Sequence, residues 1–290
     1  MSRVPPLTWG GCSVPGDRGV PAVAVSLTGP TAARARVQAR RAIGAGADVL
    51  ELRVDLLEEA GALAAPAPLD AATAAAQVLE CLRGLREAID TTDGADAGAP
   101  VLLTCRTAAE GGRAQLDDAA YGALLRSVLD GLADWTPERR PAAIDVEVQR
   151  GCLPQVCTQA HALSIDVVAS FHDFEATPAN EALEEVLARM AREGADLAKI
   201  AVWPTGADDV ARLLRVCARA TAGAGEGTGL GVPVAAMSMG TLGAVSRVAP
   251  AFGSALTFAV VPDEQGQARA SAPGQLPIQD VRRCLELLRV

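Results

Sequence analysis

The sequence predicts an α/β protein built as one (β/α)8 barrel, and three observations predict it. Eight short apolar, β-branched runs recur along the 290 residues, each separated from the next by a stretch of helical pattern. The runs are nearly continuous in their apolar character, as parallel strands covered on both faces are. No G-x-G-x-x-G follows the first run, so the usual mark of an open, dinucleotide-binding sheet is missing. Eight βα units without that mark close on themselves.

In order, the strands are expected at 22–28 (AVAVSLT), 48–55 (DVLELRVD), 101–106 (VLLTCR), 143–148 (AIDVEV), 165–171 (IDVVASF), 197–202 (LAKIAV), 233–238 (PVAAMS) and 255–261 (ALTFAVV). Helical patterns fall at 31–44, 70–89, 117–132, 152–162, 179–193, 207–220, 240–248 and 277–289. Thr177-Pro178 ahead of Glu181 marks a helix start, and Gly194 its stop. The alanine-rich stretch 58–100, with a polar tip at Asp90-Thr91-Thr92-Asp93-Gly94, reads as one helix and a mobile loop, not a domain boundary. Residues 1–21 hold Pro5, Pro6, Gly10, Gly11, Pro15 and Gly16 and form an N-terminal extension, disordered or folded over the barrel's bottom; 22–290 form the single barrel domain.

Composition narrows the function. Half the residues are hydrophobic but only 3% are aromatic, so the core is aliphatic and alanine-rich. A net charge of −9 argues against a nucleic-acid or anionic-membrane surface, so any working positive charge is local. Seven scattered cysteines, with no C-x-x-C pair and two histidines, suggest a reduced cytoplasmic setting. No signal-peptide core or membrane-length apolar run occurs, and no metal site or cofactor is expected.

The downstream strand ends carry polar residues one after another: Ser26, Glu51 with Arg53, Arg106, Glu147, His172, Lys199, then Met237 and Met239. In barrel enzymes catalytic groups project from these ends. Glu51 and Arg53, two apart, share a strand face, as do Asp145 and Glu147. Glu51 and Arg53 could supply the barrel mouth or form a structural ion pair, and either Asp145 or Glu147 could be half of such a pair. Glu110, in an Ala-Glu-Gly-Gly turn after Arg106, could equally be a solvated loop charge.

Lys199 is the only lysine; the other 25 of the 26 basic residues are arginine. An amine can lose its proton and attack a carbonyl, which a guanidinium cannot. Burial in the apolar run Leu197–Val202 disfavours the ammonium form. The alternative is a compositional leftover whose head group reaches water. His172, one strand earlier in Ser170-Phe171-His172-Asp173-Phe174, suits two-way proton transfer. A nucleophilic amine beside a proton shuttle is a Schiff-base arrangement. His161, inside a helical pattern, reads as structural.

Together these segments resemble type I 3-dehydroquinate dehydratases. The resemblance runs through Val25-Ser26-Leu27, Glu51-Leu52-Arg53-Val54-Asp55, Thr104-Cys105-Arg106-Thr107 with Glu110-Gly111-Gly112, and Ile144-Asp145-Val146-Glu147. It continues through Ser170–Phe174, Ala198–Val202, Met237-Ser238-Met239 to Ser246-Arg247, Phe252–Ala255 and Ser271–Gln275. It implies a (β/α)8 enzyme that eliminates water from 3-dehydroquinate in the shikimate pathway, through an iminium on Lys199. His172 would take the C2 proton and return one to the departing C1 hydroxyl, with Glu110 orienting it. Arg247 would bind the substrate carboxylate. Ser26, Glu51, Arg53, Arg106, Ser271 and Gln275 would hold ring hydroxyls, and Met237 and Met239 would line the apolar side or simply pack the core. Ser271–Gln275 reads as a lid, and a homodimer is expected. Cys105, Trp203 and the length of 58–100 depart from the family pattern. Two other readings are another class I Schiff-base lyase or aldolase, and a non-catalytic barrel binding hydroxy acids. The first lacks a glycine-rich phosphate cradle here; the second has no need of Lys199 or His172.

Overall fold

Eight parallel strands and a short hairpin make up the sheet structure of the computed structural model, which describes residues 4–64, 70–90, 98–222, 229–263, 266 and 270–288. The hairpin comes first: β1 (Leu7–Trp9) and β2 (Cys12–Val14), antiparallel. The barrel strands are β3 (Ala22–Leu27), β4 (Val49–Arg53), β5 (Val101–Thr104), β6 (Ala143–Glu147), β7 (Asp166–Asp173), β8 (Leu197–Val202), β9 (Val234–Ser238) and β10 (Leu256–Ala259). They pair in the order β10-β3-β4-β5-β6-β7-β8-β9. The ends of that row meet where Ala255 N–H donates to the Val234 carbonyl at 2.7 Å and Ala236 N–H to Ser254 Oγ at 3.3 Å. Closure of this kind removes exposed sheet edges.

Around the sheet lie α1 (Ala32–Gly44), α2 (Ala71–Asp90), α3 (Asp118–Leu132), α4 (Leu153–Ala162), α5 (Asn180–Arg192), α6 (Ala207–Ala220) and α7 (Ile278–Leu287). Side-chain caps start α1, α2 and α3: Thr31 accepts from Arg34 N–H, Asp70 from Ala72 N–H and Asp117 from Ala120 N–H. The helix expected at 240–248 is absent. Its place is taken by 3-10 turns at Ala244–Val248 and Pro250–Phe252. Ser246 Oγ turns inward to accept from Ser238 N–H at 2.9 Å and to donate to the Gly243 carbonyl at 2.7 Å, tying the chain back onto β9. Pro250 then blocks extension of a helix. In the 58–100 stretch, α2 and a 3-10 segment at Glu58–Ala64 form; the expected mobile loop falls on 65–69 and 91–97, outside the described residues.

Strand alternation sorts the core into two parts. Outward residues such as Val23, Val25, Leu50, Leu52, Ile144, Val146, Ala198 and Ile200 pack with the helices. Inward residues Ala22, Ala24, Val49, Leu102, Ala143, Val168, Leu197, Ala235 and Leu256 fill the lower barrel. Continuing up the same inward faces by steps of two reaches Ser26, Glu51 and Arg53, Thr104 and Arg106, Asp145 and Glu147, Ser170 and His172, then Lys199. The interior is therefore apolar at the bottom and charged at the top, on one set of faces.

Below, the hairpin covers the apolar end. Trp9, 2% exposed, joins the inner cluster, and its indole N–H donates to Asp166 Oδ2 at 2.7 Å at the start of β7. Of the two arrangements open for the N-terminal extension, residues 7–14 adopt the covering one.

Candidate active site

Lys199 sits at the third position of β8, 4% exposed, with its ammonium inside the barrel. Nζ donates to Asp145 Oδ2 at 3.1 Å, lies 3.7 Å from Glu51 Oε1, and stands 4.7 Å from the centroid of the Phe258 ring. The amine is thus held against two carboxylates and an aromatic face instead of reaching out to water.

His172 lies two residues beyond Ser170, the register partner of Lys199 on β7. Its Nδ1 is 2.8 Å from Glu110 Oε2, which also accepts from the His172 backbone N–H at 3.1 Å. The donors already on Oε2 assign the proton of the neutral ring to Nδ1, leaving Nε2 as the basic nitrogen. Burial, reinforced by Arg106, Lys199 and Arg53, pushes the imidazole well below its ordinary pKa of 6.5. Glu110 moves the other way, to about 8, because burial outweighs the Arg106 guanidinium 3.4 Å away, and Glu147 and Asp145 add to the rise. The turn that brings Glu110 here needs glycine: a Cβ on Gly112 would come within 2.1 Å of the Arg106 carbonyl oxygen.

Beneath these groups runs a network centred on Arg106. Its guanidinium donates to Asp145 at 2.6 Å, Glu147 at 3.0 Å and Ser170 at 2.9 Å. Burial opposes the Asp145 charge, but Arg106 and Lys199 outweigh it and hold the carboxyl at about 2. Glu147 also accepts from Thr107 and Arg150. On β4, Arg53 makes a two-pronged pair with Asp55 at 2.8 Å for each bond, so its structural partner is Asp55 and not Glu51. Glu51 instead accepts from Ser26 and, at 3.0 Å, from Thr104.

Across the mouth, Arg247 is 2% exposed and, among the described residues, donates only to the carbonyls of Phe258 and Pro273, at 3.5 and 3.1 Å, while its Nε finds no partner there. Burial alone lowers its pKa, to about 10. No carboxylate among the described residues pairs with it. A buried guanidinium in that condition has the charge and free donor to receive an anion. Ser271 Oγ donates to Ser26 Oγ at 2.8 Å, and its backbone N–H to Gln275 Oε1 at 2.9 Å. This segment docks where Gly240 N–H donates to the Pro273 carbonyl at 3.2 Å.

Eleven of the twelve site residues expected from sequence line one pocket with about 490 Å³ of empty space: Lys199, His172, Glu110, Glu51, Arg53, Arg106, Arg247, Ser271, Gln275, Met237 and Met239. The twelfth, Ser26, bridges Glu51 and Ser271 at its edge. Phe174, Ala201 and Phe258 line it too and were not anticipated, nor were the supporting roles of Asp55, Thr104 and Ser170. Asp145 was open to a structural pairing alone; the step of two to Glu147, on the face that carries Glu51 and Arg53 in β4, was the signal available for it. Among the described residues no group of three or more His, Cys, Asp or Glu side chains is placed to hold a metal ion.

Such a site, with a lone amine, a neutral imidazole and a buried anion receptor, can activate a carbonyl and move protons beside it. The type I 3-dehydroquinase family model matches residues 23–290. A 3-dehydroquinate dehydratase of Klebsiella pneumoniae is 36% identical over 270 residues, 92% of each chain. One from Salmonella paratyphi B is 35% identical over 274 residues, 93% of this chain and 94% of that one. Among solved structures, the 3-dehydroquinate dehydratase of Geobacillus kaustophilus superposes with a TM-score of 0.79 at 28% identity, covering 99% of this chain and 98% of that chain. The type I enzyme of Clostridium difficile, with covalently modified comenic acid, also gives 0.79 at 28% identity, covering 100% and 99%.

Proposed function

Because the chain belongs to the type I 3-dehydroquinase family, whose reaction removes water from 3-dehydroquinate to give 3-dehydroshikimate, we propose that Lys199 is the amine that carries its Schiff base. The reaction is the shikimate-pathway step leading toward aromatic amino acids. What carries the assignment to Lys199 is its position as the sole lysine of the chain, buried on the floor of the pocket with His172 in the same lining.

Elimination of water β to a ketone needs a sink for the electron pair released at C2. In this reading Lys199 condenses with the C3 carbonyl, releasing water and leaving a protonated iminium, a better sink than the ketone. His172 Nε2 takes the C2 proton, and the pair flows into an enamine. The proton then leaves with the C1 hydroxyl as the iminium re-forms, and water releases the product. Glu110 keeps the ring in the tautomer this requires. Arg247 takes the carboxylate, for which its unpaired Nε and missing counter-charge suit it. Ser26, Glu51, Arg53, Arg106, Ser271 and Gln275 offer a ring of donors and acceptors for hydroxyls, and Met237 and Met239 a flat apolar wall. Ser271–Gln275 serves as the lid, supported by its contacts with Ser26 and Gly240.

Among the described residues no helix is long and apolar enough to cross a membrane. A cytoplasmic setting is supported by seven cysteines that are all unpaired, five of them buried. A homodimer is supported by the family resemblance. Incubation with 3-dehydroquinate and borohydride, followed by intact mass and peptide mapping, tests the central step. A reduced adduct on Lys199, lost together with turnover in a folded Lys199→Ala protein, is the expected result. Near-normal turnover by that variant contradicts the mechanism.

A further inference from the structure

Asp145 has no access to solvent and sits a layer below the groups that would meet a substrate. Its two oxygens are used differently. Oδ1 accepts from Arg106 Nη2 at 2.6 Å and from Ser170 Oγ at 2.7 Å, so it is clamped from two sides. Oδ2 is left to Lys199 Nζ at 3.1 Å. Glu51, the other carboxylate near the amine, has no such freedom: its Oε2 is taken by Ser26, and its Oε1 accepts from Thr104 and stands farther from Nζ, at 3.7 Å. Phe258 faces Nζ from β10, and the Lys199 charge in turn acts on the His172 ring.

We infer that Asp145 is the fixed counter-ion of the Lys199 nitrogen, stabilising its positive charge as ammonium and then as iminium, while Arg106 and Ser170 hold the carboxylate in place. The inference rests on the Schiff-base reading above. Nitrogen is positive in the resting ammonium, in the substrate iminium and in the product iminium; it is neutral in the attacking amine and the carbinolamine, and again in the enamine between the two iminiums. A carboxylate clamped beneath it favours both iminiums and transfers no proton itself. Clamping matters because a pre-oriented charge needs no reorganisation when the nitrogen changes partner. Burial keeps water from screening the pair, and Asp145, held at about 2, stays ionised throughout the working pH range.

The single lysine makes the test unusually direct, since lysine labelled with nitrogen-15 at Nζ gives one side-chain signal at a known position. In Asp145→Asn, which keeps the shape, kcat is expected to fall about 10- to 100-fold, the scale of a lost hydrogen bond to a charged group, with KM changed less. The share of chains trapped as reduced adduct falls and the Nζ signal of the substrate complex moves. Ser170→Ala loosens the clamp but keeps the charge, so its loss in kcat is expected to be at least fivefold smaller. A folded Asp145→Asn protein with native kcat and an unmoved Nζ signal overturns the inference, and so does a Ser170→Ala protein that matches Asp145→Asn in every readout, which marks a structural role. Should Asp145→Asn not fold, native protein labelled in lysine and aspartate decides. Coupling across the hydrogen bond from Nζ to an aspartate carboxyl carbon supports the pair, and its absence overturns it. Native protein that traps no adduct on Lys199 would instead mean that the Schiff-base reading itself has failed.

Discussion

In the proposed mechanism His172 accepts a proton only while its ring is neutral, and burial together with three nearby cations favours that form. Burial, Arg106, Lys199 and Arg53 all oppose the imidazolium and place its pKa well below 6.5. A lowered pKa keeps the base in its working form at acidities where an ordinary histidine has already protonated. The acid limb of kcat/KM, which reports the free enzyme, is therefore expected below pH 6.5. A pH–rate profile through the acid range checks this, and a limb at or above that value contradicts it.

At the scale of elements, the strands share out the chemistry by one rule: alternate residues face inward, and the step of two carries an apolar lower position to a polar upper one. Val49 leads to Glu51, Ala143 to Asp145, and Leu197 to Lys199. The loops are less regular. The chain after β9 folds back as 3-10 turns, which places Arg247 under the Ser271–Gln275 segment, where Nη2 donates to the Pro273 carbonyl at 3.1 Å. A Cβ at Gly274, whose φ is +81°, would come within 2.2 Å of the Gly240 carbonyl oxygen, so this docking depends on glycine. Of the 262–276 stretch, residues 264, 265 and 267–269 lie outside those described. If 270–276 closes on substrate, amide exchange there slows when 3-dehydroquinate binds. Exchange that is the same with and without substrate removes the lid from the mechanism.

For the whole molecule, the two ends of the barrel divide stability from catalysis. The hairpin's Trp9 closes the apolar end and the charged layer opens at the other. Trp9→Ala is expected to destabilise the fold by about 3–5 kcal/mol, as truncation of a buried tryptophan does, and to leave kcat of the folded fraction near native. Denaturant melts and turnover measured on the same sample check both halves. A large fall in kcat without loss of stability would tie the hairpin to the active site.

The (β/α)8 order, all eight strands and seven of the eight helices were legible in the sequence, because apolar period and turn residues are local properties of the chain. The helix expected at 240–248 was not. Its apolar pattern allows a helix, but the inward hydrogen bonds of Ser246 exist only once β9 is in place. Lys199 and His172 could be singled out as candidates from residue type and strand position, since one amine and one strand-borne imidazole leave few choices. Whether Arg53 pairs with Asp55 or Glu51 turns on how the chain leaves β4, and which carboxylate faces Lys199 is a matter of angstroms between strands far apart in sequence. By itself the sequence determined the fold class and singled out the candidate groups, whereas only the tertiary structure decided their partners, because charge pairing is set by distance and burial in the closed barrel.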